Sequence, residues 1–215
     1  VQLGKTTTTY DTEGEVVKSS DKKVSLEDIK IALENFKGEI EQLPPKYSAI
    51  KVKGKKLYEY ARKGEEVEIK PRKVTINELH IENFDHQNQT LELYINCSKG
   101  TYIRSIANDL GEVLGTGGYL TKLVRIKAGK FRVEGSVKLD DLKSEEDVEK
   151  NLIYPLEYLD YPKYELNEAE KEKVSHGISV DTSLSDGVSI LTYSGKIAAV
   201  CKIQNGKSVL AKVFI

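Results

Sequence analysis

Three observations predict a mixed α/β (α+β) fold, a largely antiparallel sheet with flanking helices followed by a small C-terminal β domain. Apolar residues alternate at Leu91, Leu93, Ile95 and Cys97, the period of a half-buried strand. Residues 25–37 and 101–114 instead repeat their apolar positions at helical spacing. Beyond residue 186, short β runs are separated by Ser194-Gly195 and Asn205-Gly206, dipeptides that favour tight hairpin turns.

Val1-Gln2-Leu3-Gly4 reads as the end of a sheet strand. The chain has no methionine and residue 1 falls mid-strand, so it is expected to be a fragment cut from upstream neighbours. Ser25 caps a helix through about Phe36, with Leu26, Ile29, Leu33 and Phe36 on one face and Gly38 as its stop. Residues 44–73 form a proline-bounded, Lys/Tyr-rich excursion with a short helix near 57–63 ended by Gly64. The excursion holds little apolar surface and is expected to be mobile until something binds it.

Strands follow at 73–84 and 90–97, where the phase shift from Val74 and Ile76 to Leu79 and Ile81 predicts a bulge. The helix 101–114 should bury Ile103, Ile106, Ala107, Leu110, Val113 and Leu114 before stopping at Gly115. Gly117-Gly118 starts a segment leading to Leu123 and Arg125, and a strand is expected at 127–133. Residues 134–162 read as an acidic connector with short helical pieces and two prolines, Pro155 and Pro162. Asn167, with Glu170 three residues on, caps a helix ending at Gly177, and β runs follow at 187–193, 196–204 and 207–215. The domains expected are 1–150 and 151–215.

The formal net charge of −1 excludes a uniformly basic coat. The charge is nevertheless segregated. Residues 44–63 hold seven basic side chains and one acid, net +6; residues 99–132 hold seven and two, net +5. Residues 134–172 carry thirteen acids against five lysines, net −8. The basic segments are interleaved with Tyr47, Tyr58, Tyr60, Tyr102 and Tyr119, a pattern suited to RNA phosphates and unstacked bases. Tyr47, Lys51, Lys53, Lys55, Lys56, Tyr58, Arg62 and Arg125 are the candidate RNA-binding residues. Cys97 and Cys201 lie far apart in apparent strands and read as buried thiols of a reducing compartment. No apolar run approaches the ~18 residues of a membrane span and no signal peptide is visible, so a cytoplasmic protein without membrane contact is expected. His80, His86 and His176 show no ligand spacing, so no metal is expected, and nothing demands more than a monomer.

The most informative stretch is Asn96-Cys97-Ser98-Lys99-Gly100-Thr101-Tyr102-Ile103-Arg104. A strand runs into a Lys-Gly turn that opens onto a helix, placing Tyr102 and Arg104 beside the unpaired N–H groups of a helix start. A planar ring and a forked cation suit a flipped-out nucleobase and a carboxylate. Taken alone, such a turn is also ordinary.

Ser98-Lys99-Gly100-Thr101-Tyr102-Ile103-Arg104 resembles the signature of the TruB-type tRNA pseudouridine synthases. Pro44 to Lys51 with Gly54 to Arg62 resembles that family's tRNA-gripping insertion, here about 44–73. Leu3-Gly4 followed by Thr7, Thr9, Asp11 and Gly14 resembles the strand and turn upstream of it. These matches fall in the family's order and cover most of residues 1–142. More loosely, the C-terminal β domain resembles the PUA-like RNA-binding domain of the bacterial enzymes.

The resemblance implies the pseudouridine synthase fold and isomerisation of the T-loop uridine of tRNA, position 55, with the T-arm as partner. The reaction breaks the glycosidic bond, turns the uracil and rejoins it through carbon. It needs a carboxylate and a closed pocket, and no cofactor. Arg104 matches the arginine that pairs with the catalytic aspartate, Tyr102 the ring packed against the target base, and Leu123 the apolar pocket floor. Lys99 and Gly100 form the turn that positions them. The family's aspartate sits in a Gly-Thr-Leu-Asp-Pro type motif upstream of the strand matched by Val1–Gly4, with a tyrosine just before that strand. Neither occurs in these residues. Asp11, Asp109 and Asp141 lie in other contexts, and none is assigned as nucleophile, so the chain alone is expected to be inactive. Thr8 stands where an aspartate is frequent, Tyr119 where a histidine is, and Val124 where an arginine often precedes Arg125. The alternative is a non-enzymatic RNA-binding or tRNA-folding module.

Overall fold

Alternating strands can bury one face against helices while the other meets solvent, and residues 1–124 are assembled on that rule. A computed structural model describes residues 1–215, whose contacts separate into two units, Val1–Val124 and Arg125–Ile215. The first opens with β1 (Gln2–Leu3), β2 (Lys5–Thr7), β3 (Val16–Ser19) and α1 (Leu26–Leu33). Next come β4 (Gly38–Gln42), the short strands β5 (Lys51–Val52) and β6 (Lys55–Lys56), and α2 (Leu57–Lys63). The long pair β7 (Arg72–Asp85) and β8 (Thr90–Cys97) leads into α3 (Ile103–Leu114) and β9 (Gly118–Tyr119). Five strands form one antiparallel sheet in the order β4-β7-β8-β1-β9.

The core lies where α1 and α3 bring Ile29, Leu33, Ile106 and Leu110 against Leu3, Ile76, Leu79 and Leu91 of the sheet. Ser25 caps α1 through a reciprocal box with Asp28. The helix ends at Leu33, and Glu34–Phe36 tightens into a 3₁₀ turn. Leu26 and Val113, expected in the core, are 41% and 54% exposed because they lie at the margins of their apolar stripes, beyond the sheet. Gly38 is also the first residue of β4, which the sequence reading missed since Gly-Glu-Ile-Glu-Gln offers a single apolar residue. The expected bulge in β7 lies between Ile76 and Glu78, and a second falls between Ile81 and Asn83. At the far end of α3, Gly111 sits against the loop before β9: a Cβ there would lie 2.1 Å from the Gly117 backbone.

The excursion is anchored more firmly than its composition suggests. Leu57 is fully buried, the Leu57 N–H donates to the Ile50 carbonyl at 2.8 Å, and the Tyr58 N–H donates to Ser48 at 3.1 Å. Helix α2 stops at Gly64, whose left-handed backbone (φ +66°) suits glycine.

In the second unit, β10 (Lys127–Ala128) and β11 (Phe131–Arg132) form a small hairpin where one strand, 127–133, was expected; the turn at Gly129 (φ +60°) folds it back. Short helices α4 (Glu145–Lys150) and α5 (Pro155–Tyr158) occupy the acidic segment. β12 (Lys163–Glu165), α6 (Glu168–Ser175), β13 (Gly187–Tyr193), β14 (Lys196–Gln204) and β15 (Lys207–Val213) complete the unit. Their sheet runs β12-β13-β14-β15, with β12 parallel to β13 and the rest antiparallel. Asn167 and Glu170 form the expected capping box. Ser194-Gly195 and Asn205-Gly206 take positive φ at both residues, the geometry of a type I′ hairpin. Leu166, Val174, Leu191, Ala199 and Ile203 fill the core. The expected combination of antiparallel sheet, flanking helices and small β domain is therefore observed. No helix is long and apolar enough to cross a membrane.

Candidate active site

The strand-to-helix turn is held by its own polar groups. The Ser98 N–H donates to the Thr75 carbonyl at 2.8 Å, Ser98 Oγ accepts from the Thr75 N–H, and Thr101 Oγ1 donates to the Ser98 carbonyl. Gly100 turns with φ +87°, a conformation costly for any side chain. Tyr102 is then the N-cap of α3 and lacks a side-chain cap, so Arg104 emerges from the first turn. Lys99 and Gly100 are exposed.

Arg104 is drawn inward. Its Nη1 donates to Asp11 Oδ2 at 2.9 Å and its Nη2 donates to the Tyr47 carbonyl, leaving the arginine side chain 23% exposed. Asp11 is equally committed. Its Oδ1 accepts from Thr9 Oγ1 and the Glu13 N–H, and its own carbonyl accepts from Thr7 Oγ1 at 2.7 Å. Partial burial pushes the Asp11 carboxyl up, but the hydrogen bonds from Thr9, Arg104 and Glu13 outweigh it and hold it below the usual carboxylate range. The turn bearing Asp11 is fixed from behind. The Leu120 N–H donates to the Tyr10 carbonyl, and Tyr10 itself takes φ +65°, unusual for a bulky residue. Gly14 allows the turn to close, since a Cβ there would lie 2.4 Å from Thr9 Oγ1.

From sequence, Arg104 is expected to meet a carboxylate outside these residues, and Asp11 carries no assigned role. The structure supplies a partner from within. Its local signal was the Thr-x-Asp-x-x-Gly turn at 9–14; the pairing itself joins residues 93 apart and has no local signature. Beside the ion pair lies a groove of about 650 Å³ whose walls include Thr7, Thr8, Tyr10, Lys46, Tyr47 and Asn108. Burial, with Asp109 and Glu112 nearby, pushes the Tyr10 phenol up and keeps it neutral.

The predicted RNA-binding residues of the excursion form one local assembly. Lys51 and Lys56 pair across the β5–β6 hairpin, whose turn contains Lys53. Lys56 Nζ and the Arg62 guanidinium each lie 5.4 Å from the Tyr58 ring centre, and Lys55 Nζ lies 5.8 Å from that of Tyr60. The Tyr60 hydroxyl ties the hairpin to α2 by donating to the Val52 carbonyl at 3.0 Å. Tyr47 joins this assembly to Arg104 through its backbone. Leu123 is 55% exposed in the first unit, and Arg125 begins the second. No group of three His, Cys, Asp or Glu side chains is placed to hold a metal ion.

Residues 1–103 match the TruB family pseudouridylate synthase N-terminal domain, and residues 104–159 match the tRNA pseudouridylate synthase B C-terminal domain. The whole chain is 37% identical to a tRNA pseudouridine synthase B of Francisella philomiragia, covering 72% of that protein. The chain belongs to the TruB family of pseudouridylate synthases. A second TruB relative, from Caldanaerobacter subterraneus, is 42% identical over 179 residues, which are 82% of this chain and 61% of that protein. Among solved structures, a chain of a Cbf5-Nop10-Gar1 complex superposes with a TM-score of 0.65 at 20% identity, over 90% of this chain and 63% of that one. This likeness supports the fold.

Proposed function

We propose that this TruB-family chain acts in tRNA pseudouridine synthesis, capturing the T-arm and isomerising the T-loop uridine at position 55. The observation that carries the reading is the Asp11–Arg104–Tyr47 arrangement: a guanidinium fixed at the start of a helix by the segment that leads into the basic, tyrosine-bearing excursion. A guanidinium has more N–H donors than these two partners use. The remainder of the fork can face a second carboxylate, keeping it ionised and aimed at the sugar or base of an extruded uridine. Asp11 is poorly suited to be that nucleophile, because three donors already occupy its oxygens. Its role is to orient Arg104. Tyr102 would lie against the base, with Leu123 below it and Lys99-Gly100 setting the turn. Lys51, Lys53, Lys55, Lys56, Arg62 and Arg125 would meet phosphates, while Tyr47 and Tyr58 accept unstacked bases. Residues 151–215 add an RNA-binding surface of the PUA-like kind, and a monomer in the cytoplasm suffices for all of this.

Isomerisation breaks the bond from the sugar carbon to uracil N1, joins that carbon to C5, releases the C5 hydrogen as a proton and takes up a proton at N1. Tritium release from tRNA labelled at uridine C5, catalysed by the full gene product, is the expected result. The 215 residues by themselves are expected to retain tRNA in a salt-sensitive way without turnover, since the carboxylate that Arg104 would face is not among them. Retention without tritium release by the full gene product would favour the binding-only reading. No retention at low salt would remove RNA altogether.

A further inference from the structure

Gln42, the last residue of β4, has no part in the reading above, yet it is only 2% exposed. Its side-chain amide meets the Tyr102 backbone twice. Oε1 accepts from the Tyr102 N–H at 2.8 Å, and Nε2 donates to the Tyr102 carbonyl at 3.0 Å. A buried amide is costly unless both its ends are paired, so this arrangement holds the Tyr102 backbone tightly to the end of β4. The same stretch of chain makes two further contacts with the start of α3. The Leu43 carbonyl accepts from Ser105 Oγ at 3.2 Å, and the Tyr47 carbonyl accepts from Arg104 Nη2. The segment entering the Lys/Tyr-rich excursion is thus laid across the first turn of the helix that carries Tyr102 and Arg104.

We propose that Gln42 is a positioning residue for uridine isomerisation, coupling capture of RNA by residues 44–63 to the setting of Tyr102 and Arg104. The inference rests on the function proposed above and adds the link between its two halves. RNA bound to the β5–β6 hairpin and α2 stiffens the excursion beyond its own anchors at Leu57 and Tyr58, and the Gln42 amide with the Leu43 and Tyr47 carbonyls passes that stiffening to the first turn of α3. Gln42 touches neither substrate nor any reacting group; it acts through Tyr102.

Hydrogen exchange of the full gene product with a T-arm hairpin RNA tests this, using wild type, Gln42→Leu and Gln42→Glu, alongside turnover of C5-tritiated tRNA. In the wild type, RNA should slow exchange in both 44–63 and 100–106. In Gln42→Leu, protection of 44–63 should persist while RNA-dependent protection of 100–106 disappears. Its kcat should fall by about tenfold to a hundredfold, with KM within about twofold, the pattern of lost positioning. Gln42→Glu keeps an acceptor for the Tyr102 N–H and should recover part of kcat. Unchanged protection at 100–106 together with wild-type kcat in the leucine variant would overturn the proposal. So would parallel loss of both protections, kcat and KM in both variants, which marks a purely structural residue. Absence of RNA protection at 44–63 in the wild type would refute the RNA reading itself, and the coupling with it.

Discussion

Arg104 and the lysines of the β5–β6 hairpin are cations of the same unit with different surroundings. Arg104 has a carboxylate on one nitrogen and a carbonyl on another, and little of it meets water. Lys51, Lys53 and Lys55 are exposed and have no acidic partner within salt-bridge distance; Lys55, like the half-buried Lys56, has a tyrosine ring for company. The first arrangement stores geometry, which salt barely screens. The second stores charge, which salt screens strongly. Substitutions in the two regions should therefore fail in different ways.

The largest effect is expected where the geometry is seated. Gly111→Ala puts a Cβ 2.1 Å from the Gly117 carbonyl carbon and equally close to the Gly118 nitrogen. Backbone on both sides must move, at a cost of about 3 kcal/mol or more, and thermal unfolding should begin roughly 10 °C lower. Gly135→Ala, with nothing within 4 Å of its added Cβ, is the control and should melt like the wild type. Equal melting of the two variants would mean that α3 is not locked by its close approach to the loop before β9.

Next comes Arg104→Ala. Removing a fixed charge from a partly buried site should lower turnover by about a hundredfold or more in the tritium-release assay, with tRNA affinity little changed. Arg104→Lys should not restore it, because a single ammonium cannot reach Asp11 and Tyr47 as a planar fork does. Undiminished turnover in the alanine variant would remove Arg104 from the chemistry and dissolve the contrast with the hairpin.

How much of this could be read from the sequence depends on the range of the interaction. The strands β7, β8, β13, β14 and β15, the helix caps at Ser25 and Asn167, and the stop of α2 at Gly64 are each dictated by residues a few positions apart, and all were legible. Of the two-residue strands, β1 was legible as the end of a sheet strand, and β10 and β11 only as a single strand; β5, β6, β9 and the bend at Gly129 were not, since so few residues carry no periodicity. Arg104 and Tyr47 were singled out through resemblance, but their mutual contact joins residues 57 apart. Asp11 and Gln42 were passed over for the same reason: their partners lie 93 and 60 residues away, and register across a fold is not written in local pattern.

On the hairpin side the expected change is smaller and of another kind. Lys56→Ala should weaken T-arm binding several-fold and reduce the slope of log affinity against log salt by about 1, leaving turnover of bound tRNA intact. A lost slope with unchanged kcat would keep the two regions distinct. A fall in kcat at saturating tRNA would show that the hairpin also shapes the site.

The smallest effect is expected from a third kind of charge. Asp109, on α3, has neither a cationic partner nor full exposure; its oxygen accepts from the Asn108 amide at 3.1 Å. Burial pushes its carboxyl up, the Asn108 hydrogen bond works against that, and Glu112 adds repulsion. The sign is opposite to that of Asp11. The folded state holds the Asp109 proton more tightly than the unfolded chain, so its contribution favours folding at acid pH and is lost as pH rises through the raised pKa. At neutral pH the ionised carboxylate is a penalty. Asp109→Asn retains an oxygen for Asn108 and removes the charge, and should stabilise the fold at pH 7 by less than about 1 kcal/mol after solvent screening. The gain should shrink at an acid pH, where the wild-type carboxyl takes up its proton in the folded state and the penalty is lost. Thermal unfolding of both proteins at the two pH values is the measurement. A gain of equal size at both would show that the asparagine acts by packing or hydrogen bonding and that Asp109 carries no electrostatic strain.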